Sequence, residues 1–311
     1  MKIKKYMILY IDQDYIRVLK EADQRPEAPT GNVYHQETED YQFKPYIGVL
    51  TEDNKTYAVP MTSAKEHKHK DLPDVSENGI LVYKCIDIRE APNSTNPKVL
   101  ADLEPDHQFF KDHPEIKEED KQHYKKWITN VCDIRKMIPA PKGTYQRIDF
   151  KVNPKDDLKT KRRKNLLKTQ YFGLQDQKEN IEKLASEIYN RQMDYGIIGS
   201  KEPDIANLEI ASEIWVEYQD KNYRDYKDSM LGDMMYHKPK NQSPKDFFQK
   251  NYGVDRPDNF FDYTEKHYHN KPTSKFTQFL EDTYGVDNIQ DAIEVFKQDE
   301  AEWQKHDDFN Y

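Results

Sequence analysis

Two short apolar segments joined by a turn-rich sequence constrain the first part of this chain. PYIGVL spans residues 45–50, TYAVPM spans residues 56–61, and TEDNK lies between them. Short strand-like segments that flank a Gly-, Asn- or Asp-containing turn are typical of β-hairpins. The pair therefore predicts two antiparallel strands that lie side by side in a sheet.

Other segments of similar length predict further strands at residues 5–11, 79–88, 131–138 and 146–152. Helical spacing predicts one helix after Asp12, a short charged helix within 114–127, and two helices from about residue 160. The expected fold class is therefore α+β: a small, strongly curved antiparallel β-barrel with added helices, followed by a helical C-terminal domain.

Composition limits the core and the compartment. Hydrophobic residues make up 35% of the 311 residues and charged residues 34%, although 22 Tyr and 13 Phe add large buried areas. Two cysteines predict a reducing compartment without a disulfide framework. The apolar stretch near the N-terminus is too short for a signal peptide or a membrane span. We expect a soluble, cytoplasmic protein.

Charge divides the chain into two parts. Residues 1–195 contain 34 Lys and Arg against 33 Asp and Glu, whereas residues 196–311 contain 14 against 24. Within the first part, residues 151–170 hold eight basic and two acidic residues. A polyanion would dock on that local basic excess rather than on the acidic C-terminal part.

A second domain is expected after the Gly- and Pro-containing segment GIIGSKEPD, residues 196–204. The first domain then spans residues 1–195. Residues 205–311 form an acidic helical extension of unknown role, in which apolar residues recur at helical spacing.

The segment AVPMTSAKEHKHK, residues 58–70, places two hydroxyls and a lysine at the predicted end of a strand. RNA can be cleaved by its own 2′-hydroxyl if an enzyme aligns the backbone, stabilises the phosphoryl charge and moves two protons. Thr62, Ser63 and Lys65 could supply these functions. The same residues also occur in ordinary turns and solvated strand ends, and that structural interpretation stays open.

Metal chemistry is not expected at the histidines of this segment. His67 and His69, like His267 and His269, have neither a nearby cysteine nor a carboxylate at a recognisable ligand spacing. The sequence therefore predicts no metal and no cofactor.

Five segments resemble, in order, the ToxN/AbiQ family of type III toxin–antitoxin endoribonucleases. They are YIDQDYIRVL (10–19), KPYIGVL (44–50), YAVPMTSAKEHK (57–68), IRKMIPAP (134–141) and KNLLKTQ (164–170). The resemblance covers residues 1 to about 190.

The resemblance implies a fold like that of the SH3-like type II toxin ribonucleases, and metal-independent RNA cleavage by 2′-hydroxyl attack to a 2′,3′-cyclic phosphate. It also implies a role in abortive phage defence, with cellular or phage mRNA as substrate. The implied partner is a repetitive, pseudoknot-forming antitoxin RNA that the toxin processes and that inhibits it in a closed protein–RNA hetero-oligomer. No membrane partner is implied.

Site residues follow partly from the resemblance and partly from local charge. The family motif maps its catalytic residues onto Thr62, Ser63 and Lys65. The predicted RNA-binding residues are Tyr15, Lys44, Tyr46, His67, Lys68, Lys161, Arg162, Arg163, Lys164 and Lys168. This chain departs from many family members at Ala64 and Glu66, and residues 91–126 resemble an insertion.

Two other function classes remain open. Glu66 and the insertion are compatible with an RNA-binding module whose catalysis has lapsed and whose helical domain binds a protein. A protein-interaction adapter built on residues 205–311 is the third class. Its net charge of −10, counted from residue 196, makes that region a poor phosphate surface.

Overall fold

The computed structural model describes residues 7–24, 32–33, 44–50, 55–76, 79–90, 99–195, 202–252 and 273–307. Parts of the predicted turn TEDNK (51–54), insertion (91–98) and linker (196–201) lie outside them. The chain divides into two compact units. The first consists of Met1–Asp12 and Asn32–Ile205, and the second of Gln13–Gly31 and Ala206–Tyr311.

The first unit is built on an antiparallel sheet. Its described strands are β1 (Ile8–Ile11), β2 (Tyr46–Leu50), β3 (Thr56–Ser63), β4 (Val75–Ser76), β5 (Gly79–Asp87), β6 (Val99–Asp102), β7 (Tyr124–Cys132), β8 (Ile138–Pro139) and β9 (Tyr145–Arg147). Their order is β4-β5-β7-β3-β2-β1-β9, with β6 paired to β7 and β8 paired to β3. The sheet curls into a half-barrel, which confirms the α+β class and the curved antiparallel sheet.

Two long helices pack on this sheet. The helices of the first unit are α2 (Glu66–His69), α3 (Gln108–Asp112), α4 (Leu158–Asp176) and α5 (Lys178–Tyr195). α4 begins where the Asp157 carboxylate accepts a 2.6 Å hydrogen bond from the Thr160 backbone N–H, which satisfies one free donor of the first turn. Its buried side chains include Leu167 and Leu174, which join the strand residues in one apolar core.

Gly173 sets how closely α4 approaches the sheet. A β-carbon at this position would lie 2.8 Å from the Tyr83 carbonyl oxygen and 3.0 Å from Val82 Cγ1. Any larger residue would therefore push the helix away from β5.

The predicted hairpin is confirmed by β2 and β3, whose register pairs Tyr46 with Pro60 and Leu50 with Thr56. The short charged helix predicted within 114–127 is present as a 3₁₀ helix at Glu118–His123, and β7 begins directly after it. The strand predicted at 131–138 is wrong over most of its length, because Ile134–Lys136 form a 3₁₀ turn. β7 was missed because its first half carries lysines.

The lysines of β7 are accommodated by carboxylates on neighbouring segments. Lys126 Nζ lies 2.6 Å from Asp74, and Lys125 Nζ lies 2.5 Å from Asp102 of β6. β7 itself bonds to β5 along its length and to β3 near its end, so tertiary pairing overrides its polar sequence.

The second unit is helical, as predicted for the C-terminal region. Its described helices are α1 (Gln13–Ala22), α6 (Ile205–His237, of which Ile205 counts with the first unit), α7 (Pro244–Tyr252), α8 (Thr273–Tyr284) and α9 (Ile289–Asp307). Trp215 of α6 packs at 6.0 Å from Tyr15 and at 5.1 Å from Phe276, measured between ring centroids. The predicted domain boundary at 195–205 was drawn without α1, which lies with these helices.

No helix in the described ranges has both the length and the apolar composition that crossing a bilayer requires.

Candidate active site

The hydroxyl–lysine segment lies where β3 ends. β3 pairs with β2 as far as Pro60, and its last three residues, Met61 to Ser63, pair with β7. Five consecutive residues before Thr62 are buried, Thr62 is half-buried, and Ser63 is exposed. The strand therefore carries these hydroxyls from the core to the surface, as the sequence predicted.

Thr62 and Ser63 lie on opposite faces of the sheet, because successive strand residues alternate. Residues that pair across an antiparallel ladder share a face, and Thr62 pairs with Val131 whereas Ser63 pairs with Asn130. The two hydroxyls are thus adjacent in sequence but have different neighbours.

Ser63 shares its face with the α4 side of the sheet. Its cross-strand partner Asn130 also pairs with Val82 of β5, whose side chain lies under Gly173 of α4. Asn130 is buried, with 1% of its surface exposed. Ser63 is consequently the exposed end of a row whose other members are covered by the helix.

Thr62 shares its face with Lys44. The Met61 N–H donates to the Pro45 carbonyl at 2.9 Å, so the β2–β3 register continues beyond the strand and brings Lys44 beside Thr62. On the other side of β3, the Asp133 N–H donates to the Pro60 carbonyl at 3.1 Å. Lys44, Thr62 and Asp133 therefore form one group on this face.

The Lys44 ammonium is perturbed by its surroundings. The pKa of Lys44 is lowered to about 8, chiefly by burial and also by Lys136, while the Asp133 carboxylate acts in the opposite direction. Burial raises the pKa of Asp133, against the cations of Arg135, Lys136 and Lys44. A lysine with a pKa near neutrality can exchange a proton as well as hold a charge.

A hydrogen-bonded turn fixes the backbone of Lys65. The Lys65 N–H donates to His69 Nδ1 at 2.8 Å, and the Lys65 carbonyl accepts from the His69 N–H at 2.9 Å. Burial lowers the pKa of His69, and Lys68 and Lys65 lower it further. His69 is therefore held neutral, with its proton on Nε2, and closes the turn that presents Lys65.

The predicted RNA-binding residues after Lys65 are accessible. Lys65, His67 and Lys68 are all exposed on and before the single turn of α2. They extend a basic surface outward from Ser63.

The basic residues of α4 separate into internal and surface groups. Arg163 donates to the Tyr10 hydroxyl at 2.8 Å, and Lys164 pairs with Asp156 at 2.9 Å. Lys161 donates to the Pro154 carbonyl at 3.2 Å. Arg162 and Lys168 are exposed and have no ion pair or hydrogen bond with the part of the chain that the structure describes. These two are the α4 cations best placed for an anion.

Two predicted RNA-binding tyrosines do not fit a surface role. Tyr15 is 0% exposed and packs on Trp215, with its hydroxyl bonded to Ser212. Tyr46 is 2% exposed and lies in the sheet between β1 and β3. Both are core residues because their rings fill apolar interiors, and we leave them out of the proposed RNA surface.

Sequence analysis did not identify Asn130 or Asp133, and it considered His69 only as a metal ligand. Asn130 and Asp133 lie about 70 residues from Ser63 along the chain and become neighbours only through the β3–β7 pairing. The four-residue spacing of Lys65 and His69 was the one local signal that could have indicated a closed turn.

Among the described residues, no three His, Cys, Asp or Glu side chains come together as a metal-binding group.

Residues 7–213 match the protein family described as toxin ToxN of type III toxin–antitoxin systems. The chain belongs to this family. The match to the ToxN family includes β1 to β9, α4 and α5, and residues 214–311 lie outside it.

Solved structures of similar proteins come from the same kind of system. One is from a bacterial antiviral system regulated by a processed non-coding RNA; it is 18% identical, covering 65% of this chain and 94% of that chain, with a TM-score of 0.41. A second, from work on selective toxin inhibition by a non-coding RNA pseudoknot, is 18% identical over 69% of this chain and 99% of that chain, with a TM-score of 0.40.

A third similar structure is AbiQ, a lactococcal anti-phage endoribonuclease of the type III toxin–antitoxin system. It is 16% identical and covers 69% of this chain and 99% of that chain, with a TM-score of 0.44. A comparison with curated protein sequences finds no match.

Proposed function

We propose that this protein is the endoribonuclease toxin of a type III toxin–antitoxin system and cleaves RNA without a metal ion. The observation that carries the proposal is the position of Ser63: an exposed hydroxyl at a strand end, two residues before an exposed lysine whose backbone is fixed by His69. Membership of the ToxN family supports it.

The chemistry assigned to the site is attack by a ribose 2′-hydroxyl on the adjacent phosphorus. The P–O5′ bond breaks, and the products carry a 2′,3′-cyclic phosphate and a 5′-hydroxyl. Ser63 donates its hydroxyl proton in a hydrogen bond to a non-bridging oxygen, and the Lys65 ammonium stabilises the extra charge there. Lys44, with a pKa of about 8, is the candidate for proton exchange on the Thr62 side.

Exposed polar and charged side chains extend the site into an RNA-binding surface. His67 and Lys68 continue from Lys65, and Arg162 and Lys168 offer phosphate contacts on α4. The remaining predicted contacts, Lys161, Arg163 and Lys164, are held by internal partners, so we assign them a smaller share of RNA binding.

The proposed inhibitor is a repetitive, pseudoknot-forming antitoxin RNA that the toxin itself processes. The similar solved proteins, which include a toxin inhibited by a non-coding RNA pseudoknot and an anti-phage endoribonuclease, support this partner and a role in abortive phage defence. Antitoxin RNA would occupy the surface that binds cellular or phage mRNA, in a closed protein–RNA assembly.

The test is RNA cleavage by purified protein in EDTA. We expect discrete fragments with 5′-hydroxyl and 2′,3′-cyclic phosphate ends, and we expect Ser63→Ala to lower the rate by about 10²–10³. Growth inhibition should disappear with Ser63→Ala while the antitoxin RNA still binds.

Intact RNA from the parent protein, together with tight RNA binding, would instead establish the catalytically lapsed binding module. A Ser63→Ala variant that cleaves as fast as the parent would reject the assignment of Ser63.

A further inference from the structure

Asn130 has an incomplete set of hydrogen bonds. Its Oδ1 lies 2.9 Å from the Thr129 hydroxyl, which is also 3.0 Å from the Val82 carbonyl, so the single Thr129 proton is shared between two acceptors. Its Nδ2 is buried and has no hydrogen-bond partner in the described part of the chain. Buried amide donors are rarely left unpaired in folded proteins.

Ser63 is the neighbour that this amide can reach. The two residues are directly opposite in the β3–β7 ladder, with β-carbons about 4.5–5.5 Å apart in such pairs. Their side chains emerge on the same face of the sheet. The Ser63 hydroxyl makes no hydrogen bond with the described residues, and its oxygen can occupy three staggered positions.

We propose that Asn130 is a positioning residue for Ser63, whose Nδ2 donates a hydrogen bond to Ser63 Oγ. The serine oxygen can then no longer take its proton inward, and the O–H bond points away from the sheet towards the substrate phosphate. The Thr129 hydroxyl holds Oδ1 and so keeps Nδ2 turned towards β3. This assignment rests on the proposed function, because it concerns how Ser63 donates to the phosphoryl oxygen.

Burial keeps water from competing for the Asn130 amide donor. At 1% exposure Asn130 does not meet bulk water, so its donor has no competing solvent partner. Ser63 is exposed and would otherwise rotate among its rotamers. One covered donor thus orders the hydroxyl before RNA binds, which lowers the reorganisation required during the reaction.

The kinetic test compares Asn130→Ala and Asn130→Asp with the parent protein on one RNA substrate. We expect Asn130→Ala to lower kcat about 10- to 100-fold, with KM and antitoxin RNA affinity within about twofold of the parent. The control is Ile128→Val, a small apolar change at a buried position of the same strand, which should keep the parent kcat.

The pH profile separates positioning from packing. Asn130→Asp replaces the amide donor with a carboxyl group of the same shape, whose pKa burial raises. When protonated, this carboxyl can donate to Ser63 Oγ, so kcat of Asn130→Asp should recover towards the parent as pH falls. Asn130→Ala should show no such recovery.

The proposal is overturned if Asn130→Ala retains the parent kcat, if only KM changes, or if Asn130→Asp shows no recovery in acid. Should Asn130→Ala not fold, the side-chain amide resonance of Asn130 in the parent decides: it should shift in Ser63→Ala, and an unchanged resonance overturns the proposal. Failure of the proposed function is distinguishable, because the parent would then leave RNA intact in the first place.

Discussion

Lys44 and Asp133 lie on the same face of the sheet, on either side of the end of β3. Burial lowers the pKa of Lys44, the Asp133 carboxylate partly opposes this, and the resulting pKa is about 8. This relationship places a titrating cation beside Thr62, whereas Ser63, one residue later, faces Asn130. Proton exchange and charge stabilisation are therefore assigned to different faces of one strand.

RNA affinity should depend on the charge of Lys44. In a Ser63→Ala background, in which cleavage is expected to be slow, affinity should fall as pH rises through about 8, because Lys44 loses its proton there. Lys44→Arg keeps its charge and should hold the affinity across about pH 7 to 9. Fluorescence anisotropy with a labelled RNA measures both. Parallel pH curves for the two proteins would remove Lys44 from the RNA surface.

The same lysine should make folding stability rise with pH. The pKa of Lys44 is about 8 in the folded protein against an ordinary value of 10.5. Between these values the unfolded chain binds more protons, so the free energy of unfolding increases as pH increases. Lys44→Met should flatten that rise in urea unfolding followed at several pH values. A parent curve that falls over this interval would contradict the assigned direction.

Thr62→Val and Ser63→Ala should have nearly additive effects on the logarithm of the cleavage rate. Residues that act as one unit show strong non-additivity, but these two hydroxyls lie on opposite faces and have different neighbours. A double-mutant cycle on kcat/KM measures the coupling. A double variant no slower than Ser63→Ala alone would show that the hydroxyls act on the same group.

The salt dependence of RNA binding should separate the α4 cations into two classes. Arg162→Gln and Lys168→Gln should each reduce the slope of log affinity against log salt by about 0.7, the value for one single-strand phosphate contact. Lys164→Gln should change the slope less, since Lys164 already pairs with Asp156. Equal slope changes for all three variants would show that the Asp156 pair opens when RNA binds.

Gly173→Ala should destabilise the protein and Gly232→Ala should not. A β-carbon at Gly173 meets the Tyr83 carbonyl at 2.8 Å, and such overpacking costs about 1–3 kcal/mol, against about 1 kcal/mol gained from helix propensity. At Gly232, also within a helix, nothing lies within 4 Å, so alanine should stabilise by about 1 kcal/mol. Urea unfolding measures both changes.

Local patterns predicted the parts of the fold that depend on neighbouring residues. The β2–β3 hairpin follows from two short strands and a turn, and the start of α4 near residue 160 follows from helical spacing. The exposed end of β3 also follows, because the sequence changes there from apolar to polar. These features need no partner distant in the chain.

Features that depend on contacts between residues far apart in the chain could not be predicted from the sequence. β7 carries Lys125 and Lys126, which pair in the folded sheet with Asp102 and Asp74 from other segments. Tyr15 and Tyr46 were predicted to bind RNA, but neither a resemblance of short segments nor a local sequence shows that a tyrosine ring is buried in a core. The opposite orientation of Thr62 and Ser63 required knowing that β3 continues through both residues.

The acidic helical unit is discontinuous in sequence, since α1 joins it from the other end of the chain. Gln290 Nε2 of α9 donates hydrogen bonds to the carbonyl oxygens of Glu21 and Gln24 at 3.0 and 2.9 Å. Tyr15 of α1 packs against Trp215. Truncation after residue 205 would therefore expose the apolar side chains of α1 to solvent. The C-terminal helices are not an independent appendage. During synthesis, α1 emerges from the ribosome early, but it can pack only after most of the chain, including α6 and α9, has been made.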